Sequence, residues 1–126
     1  EFMEFKENKA IYLQIADRIC DEILTEKYRD EERIPSVREY SAEVEVNVNT
    51  VMRAYDYLQQ QDVIFTKRGL GYYVAHGART VIETIRRKEF FDVALSDLVR
   101  SMDTLGISID EVVEKLHEMK KTLSTK

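Results

Sequence analysis

The sequence predicts a mainly α protein with one small β-hairpin, in which three helices and the hairpin precede a two-helix tail. Three observations predict it. Apolar residues recur at helical spacing in separate stretches along the chain. One run of β-branched and aromatic residues is interrupted by a glycine-bearing connection. The chain has 126 residues with one proline and four glycines, the length of one domain or of a small domain with an appendage.

Composition narrows the classes further. With 44% apolar and 34% charged residues, neither a collagen-like nor a disordered chain is expected. No apolar run reaches the roughly 18 residues of a membrane span. Glu1-Phe2-Met3-Glu4 lacks the basic-then-apolar pattern of a secretory signal, and Glu1-Phe2 is compatible with a cloning remnant. The lone Cys20 cannot close an internal disulfide, which fits a reducing compartment; a cytoplasmic protein is expected. The net charge is −5, and its distribution is uneven. Residues 1–32 hold 5 basic and 10 acidic side chains, residues 33–77 hold 5 and 5, and residues 78–126 hold 9 and 9. The excess acid lies in the first quarter, and the middle is neutral, which is weak for a nucleic-acid binder.

The first helix is expected from about Ala10 to Leu24. Ile11, Ile15, Ile19 and Ile23 form a stripe, widened by Ala16 and Leu24, with Asp17, Arg18, Asp21 and Glu22 facing water. Cys20 beside the stripe reads as a small apolar filler. After a polar stretch, Ser36 and Glu39 have the spacing of a capping box, starting a short helix over Val37–Glu43 that buries Val37, Tyr40, Ser41 and Val44. A turn at Glu45-Val46-Asn47 follows, with Asn47 capping a helix from about Val48 to Gln61. Val51, Ala54, Tyr55 and Leu58 share one arc of it; Asn49, Met52, Arg53 and Asp56 share the opposite arc, with Thr50 at the edge.

Val63–Thr66 and Tyr72–Val74 then read as strands around the tip Lys67-Arg68-Gly69-Leu70-Gly71. A helix, a helix-turn-helix and a hairpin, in that order, make a winged helix-turn-helix. After the break at His76-Gly77-Ala78, a long helix is expected from about Thr80 to Leu105, ended by Gly106 in a left-handed turn. Ser108 and Glu111 cap a last helix that runs to about Leu123. Residues 1–77 are thus expected to be a DNA-binding domain and residues 78–126 a helical dimerisation tail.

Reading DNA directly requires side chains that match base edges: Arg fits guanine and Asn fits adenine. Asn47, Asn49, Thr50 and Arg53 lie in the first turns of the helix that would enter the major groove. Arg38 could approach from the other side of the turn. The amides at the Ser36 helix start could hold a phosphate. Lys67 and Arg68, with Gly69, suit a wing that touches phosphates or the minor groove. Each has a plainer alternative: Asn47 as a cap alone, Arg38 and Arg53 paired with nearby acids, Lys67-Arg68 as a solvated turn. The case rests on their sharing one docking surface.

No catalytic residue, metal site or cofactor is expected. His76 and His117 stand without ligands at metal spacing, and Gly69-Leu70-Gly71 belongs to a hairpin rather than a phosphate loop. The tail instead poses a burial problem. Phe91, Leu95, Leu98, Met102, Val112 and Leu116, with Phe90, Val93 and Val99 widening the arc, exceed what two helices cover by themselves. A second copy of the chain would cover them and supply two recognition helices for a palindromic operator. The alternative is a monomer whose tail folds back on its own winged domain.

The chain resembles the GntR family of bacterial transcription regulators. The residues that carry the resemblance are Ile11-Tyr12-Leu13-Gln14-Ile15-Ala16, Ile34-Pro35-Ser36-Val37-Arg38-Glu39, Val46-Asn47-Val48-Asn49-Thr50-Val51, Arg53-Ala54-Tyr55, Leu58 and Arg68-Gly69-Leu70-Gly71-Tyr72-Tyr73-Val74. The short tail, with Leu105-Gly106-Ile107-Ser108 between its helices, is similar to the YtrA subfamily. The resemblance implies DNA contacts at Arg38, at Asn47, Val48, Asn49, Thr50 and Met52, and at the wing near Arg68 and Gly69. It further implies a homodimer that represses its own operon, often one encoding an ABC-type transporter. The chain departs from the family at Val48 and Met52, where many members have arginine, and at Ala10, which replaces a common proline. The YtrA group instead places an arginine where Arg53 stands. About 50 residues follow the winged domain, too few for an enclosed pocket of ordinary size, so any small-molecule effector is expected in the groove between two tails. The reading from another class is a protein-interaction module, with the winged domain as a scaffold that does not read DNA; the neutral middle and acidic start motivate it.

Overall fold

The structure, a computed structural model, describes residues 9–124. The Glu1–Glu4 stretch read for a signal therefore lies outside the described residues. The chain forms two compact units divided between Ile85 and Arg86.

In the first unit, helix α1 (Ile11–Leu24) buries Ile15, Ala16, Ile19, Cys20 and Ile23. Ile11 departs from the expected stripe and is 45% exposed. The reason is geometric: a four-residue step advances about 40° beyond a full turn, so a row of four such steps drifts off the buried arc at one end. Helix α2 (Val37–Val44) buries Val37, Tyr40, Ser41 and Val44, as expected. It ends at Glu45, whose backbone is left-handed (φ 56°). The Ser41 hydroxyl donates to the Val46 carbonyl across this turn. Helix α3 (Val48–Gln60) buries Val51, Ala54, Tyr55 and Leu58, the arc expected from periodicity.

Strands β1 (Ile64–Lys67) and β2 (Gly71–Val74) pair antiparallel, with Ile64 opposite Val74 and Lys67 opposite Gly71. The tip closes when the Leu70 amide donates to the Lys67 carbonyl at 2.8 Å. Gly69 sits at the third turn position with φ +76°, the conformation that selects glycine in a type II turn. The polar stretch before α2 holds an unforeseen third extended segment. The Glu31 amide donates to the Val74 carbonyl, the Val74 amide to Glu32 and the Ile34 amide to Tyr72, at 2.8–3.0 Å. Arg33 bridges Tyr73 on this edge. The free edge of β2 is thereby paired.

Hydroxyl donors lock the helices to one another. Tyr40, fully buried, donates to Glu22 Oε1 at 2.9 Å. Tyr55, also fully buried, donates to the Pro35 carbonyl at 2.6 Å and sets its ring edge-on to Tyr72 at 4.9 Å. Burial pushes both phenols far above the ordinary tyrosine range, with the Glu22 charge adding to the shift at Tyr40, so both remain neutral donors. Fully burying one large apolar side chain contributes ~1.5–3 kcal/mol, and this core holds Ile15, Ile19, Leu58, Ile64 and Ile82.

Helix α4 (Ala78–Glu89) begins within the first unit, where Ala78 and Ile82 are buried and the Arg79 guanidinium donates to the Leu24 carbonyl. The compact unit therefore extends beyond the boundary expected after Gly77, because the first turns of α4 complete its core.

In the second unit the helix does not run uninterrupted to Leu105. A π turn (Phe90–Ala94) separates the end of α4 from α5 (Leu95–Leu105). Gly106 ends α5 with φ +67°, and Ser108 Oγ accepts from the Glu111 amide at 3.1 Å to open α6 (Ile109–Ser124). None of the described residues of α5 or α6 is buried. Phe91, Leu95, Leu98 and Leu116 are exposed, and Met102 and Val112 are half-buried.

Candidate nucleic-acid interface

The start of α2 is fixed by its own cap. Ser36 Oγ accepts from the Glu39 amide at 3.1 Å, and the Ser36 amide donates to Glu39 Oε1 at 2.8 Å. Those bonds to Ser36 hold the Glu39 carboxyl below the usual carboxylate range, with Arg33 adding a smaller pull in the same direction. Glu39 is thus committed to the cap, which leaves Arg38 beside it exposed and without an ion pair among the described residues.

Asn47 caps α3: its Oδ1 accepts from the Asn49 amide at 2.8 Å. The carboxamide NH2 is not used by that bond. Asn49 is exposed and Thr50 half-buried on the following turn, with Val48 half-buried between the asparagines. Met52 and Arg53 face outward, as periodicity expected. Arg53 does not pair with an acid among the described residues, although Asp56 stands three residues further along α3; its guanidinium carbon lies 4.1 Å from the centre of the Tyr12 ring.

The hairpin is joined to the exposed side of α3. The Tyr72 hydroxyl approaches Met52 Sδ at 3.9 Å, and Gln59 Nε2 donates to Thr66 Oγ1 at 3.3 Å. Lys67 Nζ lies 4.4 Å from the Tyr73 ring centre, with Phe65 stacked on Tyr73. Arg68 and Gly69 are exposed at the tip. The structure thus brings the outer arc of α3 and the hairpin together through Met52 and Tyr72.

Two relationships here were not visible in the sequence. One is the Tyr12–Arg53 stack, which joins residues far apart in the chain. The other is Arg33, whose guanidinium lies where a side chain on Gly71 would stand, with Nε 3.1 Å from that Cβ position. The unpaired glycine before the Tyr72-Tyr73 pair was its one signal. His76 is 88% exposed and lies 3.5 Å from Asp30, and His117 is exposed on α6. Among the described residues no group of His, Cys, Asp and Glu is placed to hold a metal, and no helix is long and apolar enough to cross a membrane.

The pattern of the family described as bacterial regulatory proteins, gntR family, matches residues 11–74, which contain α1 to β2. The chain is 32% identical to an uncharacterized HTH-type transcriptional regulator, YhcF, of Bacillus subtilis, over 88% of this chain and 90% of that protein. It is 29% identical to the HTH-type transcriptional repressor YtrA of the same organism, over 94% of this chain and 88% of that one. Among solved structures, a GntR-family transcriptional regulator from Bacteroides thetaiotaomicron is 50% identical, with a TM-score of 0.77, over 90% of this chain and 99% of that one. These likenesses extend past the winged domain into the tail. With an outward polar arc on α3, a hairpin docked beside it and the family's pattern over more than half its length, the chain belongs to the GntR family and is a DNA-binding transcriptional regulator.

Proposed function

We propose that the protein is a homodimeric, sequence-specific repressor that places two copies of α3 in successive major grooves of a palindromic operator. In this reading residues Ser36, Lys67, Arg68 and Gly69 meet phosphates or the minor groove, and Arg38, Asn49, Thr50 and Arg53 supply sequence preference, with Asn47 dividing its carboxamide between cap and DNA. The observation that carries the reading is the pair of exposed, acid-free arginines, Arg38 and Arg53, on a unit whose hairpin adjoins the exposed side of α3.

The second copy is inferred from the tail. Phe91, Leu95, Leu98 and Leu116 are each more than a third exposed, and Met102 and Val112 are only partly covered. Two helices with this much apolar surface gain stability by pairing with an identical surface, since each large side chain removed from water contributes ~1.5–3 kcal/mol. The likeness to a protein named as a repressor supports repression, and autoregulation of a transporter-type operon is the regulatory role proposed. An effector, where there is one, would bind in the groove between paired tails. The reading places the protein in the cytoplasm, with its DNA.

The test is a gel-shift and footprint on DNA upstream of the gene, titrated with salt. Protection of two half-sites about one helical turn apart is expected, with log affinity falling against log salt by about 0.9 per neutralised phosphate. A salt-independent affinity, or no shift at low salt, overturns the reading and leaves the winged domain as a scaffold for protein contacts.

A further inference from the structure

The Arg53 guanidinium lies 4.1 Å from the centre of the Tyr12 ring, and the Tyr12 ring is itself braced edge-on by Tyr57 at 6.3 Å. Arg53 and Tyr57 are four residues apart on α3, so they stand one above the other on its surface, and Tyr12 at the start of α1 fits against both. An arginine on an aromatic face is attracted through the ring, while its N–H donors radiate in its own plane and stay available. Arg53 is exposed and pairs with no acid among the described residues, so those donors are not spent on a carboxylate of this unit.

From this geometry we infer that Tyr12 is a positioning residue for DNA recognition: its ring holds Arg53 extended in the free protein, ready for its contact. The inference rests on the proposed meeting of Arg53 with DNA and adds a residue outside the helix-turn-helix to the determinants of affinity. Its physical content is pre-organisation. A free arginine loses side-chain freedom when it binds, and an arginine already parked on a ring loses less. The ring, not the Tyr12 hydroxyl, does the work, and it acts only through Arg53.

The test measures operator affinity of the full chain for the wild type, Tyr12→Phe, Tyr12→Leu, Arg53→Ala, Arg53→Lys and the Tyr12→Leu/Arg53→Ala double variant. Circular dichroism confirms that each is folded. Tyr12→Phe should bind as the wild type does, and Tyr12→Leu about 2- to 10-fold more weakly, the range for one side chain left to be immobilised on binding. Arg53→Lys keeps the charge without the planar stack and should fall below the wild type too. The double variant should bind no more weakly than Arg53→Ala alone.

Multiplying losses in the double variant overturn the inference, as does wild-type affinity in Tyr12→Leu or in Arg53→Lys. Should Tyr12→Leu fail to fold, Tyr12→Phe and Arg53→Lys still decide. Loss in the first or wild-type affinity in the second overturns the inference. If the wild type binds the operator but Arg53→Ala binds equally well, this inference alone fails; if the wild type binds no operator, the proposed function fails.

Discussion

Tyr40 on α2 donates its hydroxyl proton to the Glu22 carboxylate on α1 at 2.9 Å, from a position with no exposure to solvent. Glu22 also meets Lys27 Nζ at 3.2 Å and Arg18 Nε at 3.8 Å, so one carboxylate ties α1 to α2 and to the loop after α1. The Glu22 hydrogen bond, with its charge, also holds Lys27 above the ordinary lysine range. Replacing Tyr40 with Phe keeps the ring and removes the donor. We expect a loss of about 1–2 kcal/mol in chemical denaturation, the size of a hydrogen bond to a charged group that keeps other partners. In a Glu22→Gln background the loss should shrink; an unchanged loss would show that the bond contributes little.

Glu39 gives the structure a titrating cap. Its carboxyl sits below the ordinary range in the folded state, held there by the Ser36 amide. The stabilisation is therefore complete above the unfolded glutamate value and is lost as pH falls through the lower, folded one. Glu39→Gln keeps an acceptor for the Ser36 amide but cannot titrate. Its thermal midpoint should fall less than that of the wild type between about pH 6 and about pH 3. Parallel curves for the two proteins would show that the cap does not contribute to acid unfolding.

Arg38 stands clear of acids at the start of α2. If it reads a base edge, Arg38→Ala should cost ~1–3 kcal/mol on the operator and little on unrelated DNA. Arg68→Ala at the wing tip should weaken both alike and reduce the salt slope by about one. Affinities on the two DNAs at several salt concentrations separate these outcomes, and an equal loss for Arg38→Ala would reassign it to a phosphate.

Leu98 on α5 is 38% exposed in the single chain. A charge placed there should disfavour a paired tail while leaving the first unit folded, since α5 contributes nothing to that core. Leu98→Asp is therefore expected to sediment as a single 14.8 kDa chain and to lose affinity for a two-half-site operator more than for a half-site. Wild type sedimenting as one chain at micromolar concentration would remove the paired tail altogether.

Glu45 terminates α2 with φ 56°, a left-handed conformation that costs roughly 1–2 kcal/mol for a residue with a side chain. Glycine avoids that cost but gives up more entropy on folding. Glu45→Gly should raise stability by about 0.5–1 kcal/mol, read from the denaturation midpoint. A drop would show that the glutamate side chain contributes more than its backbone strain removes.

Most of the first unit was legible because its signals are local. Ser36 and Glu39 announce a helix start through a bond pattern confined to four residues, and Val51, Ala54, Tyr55 and Leu58 repeat at the spacing of a helix face. Gly106 was legible as a helix end for the same reason. The segment 31–34 was not, because its strand character comes from pairing with β2 and not from its own polar side chains. Tyr12 and Arg53 lie on different helices, and only the packing of α1 on α3 brings them together. Of the candidate site, the residue types and their outward arc could be read; which arginine is braced by an aromatic ring could not.

The π turn at Phe90–Ala94 carries a consequence for chain length. Where five residues span what four ordinarily would, the rows of side chains before and after the turn fall out of phase with a plain helix. Deleting one residue there should restore regular winding and rotate Leu95 and Leu98 by about 100° relative to Arg87 and Lys88. The sensitivity of this stretch is therefore to insertions and deletions more than to substitutions: it acts as an angular spacer whose residue count, more than its side chains, decides which way the following leucines face.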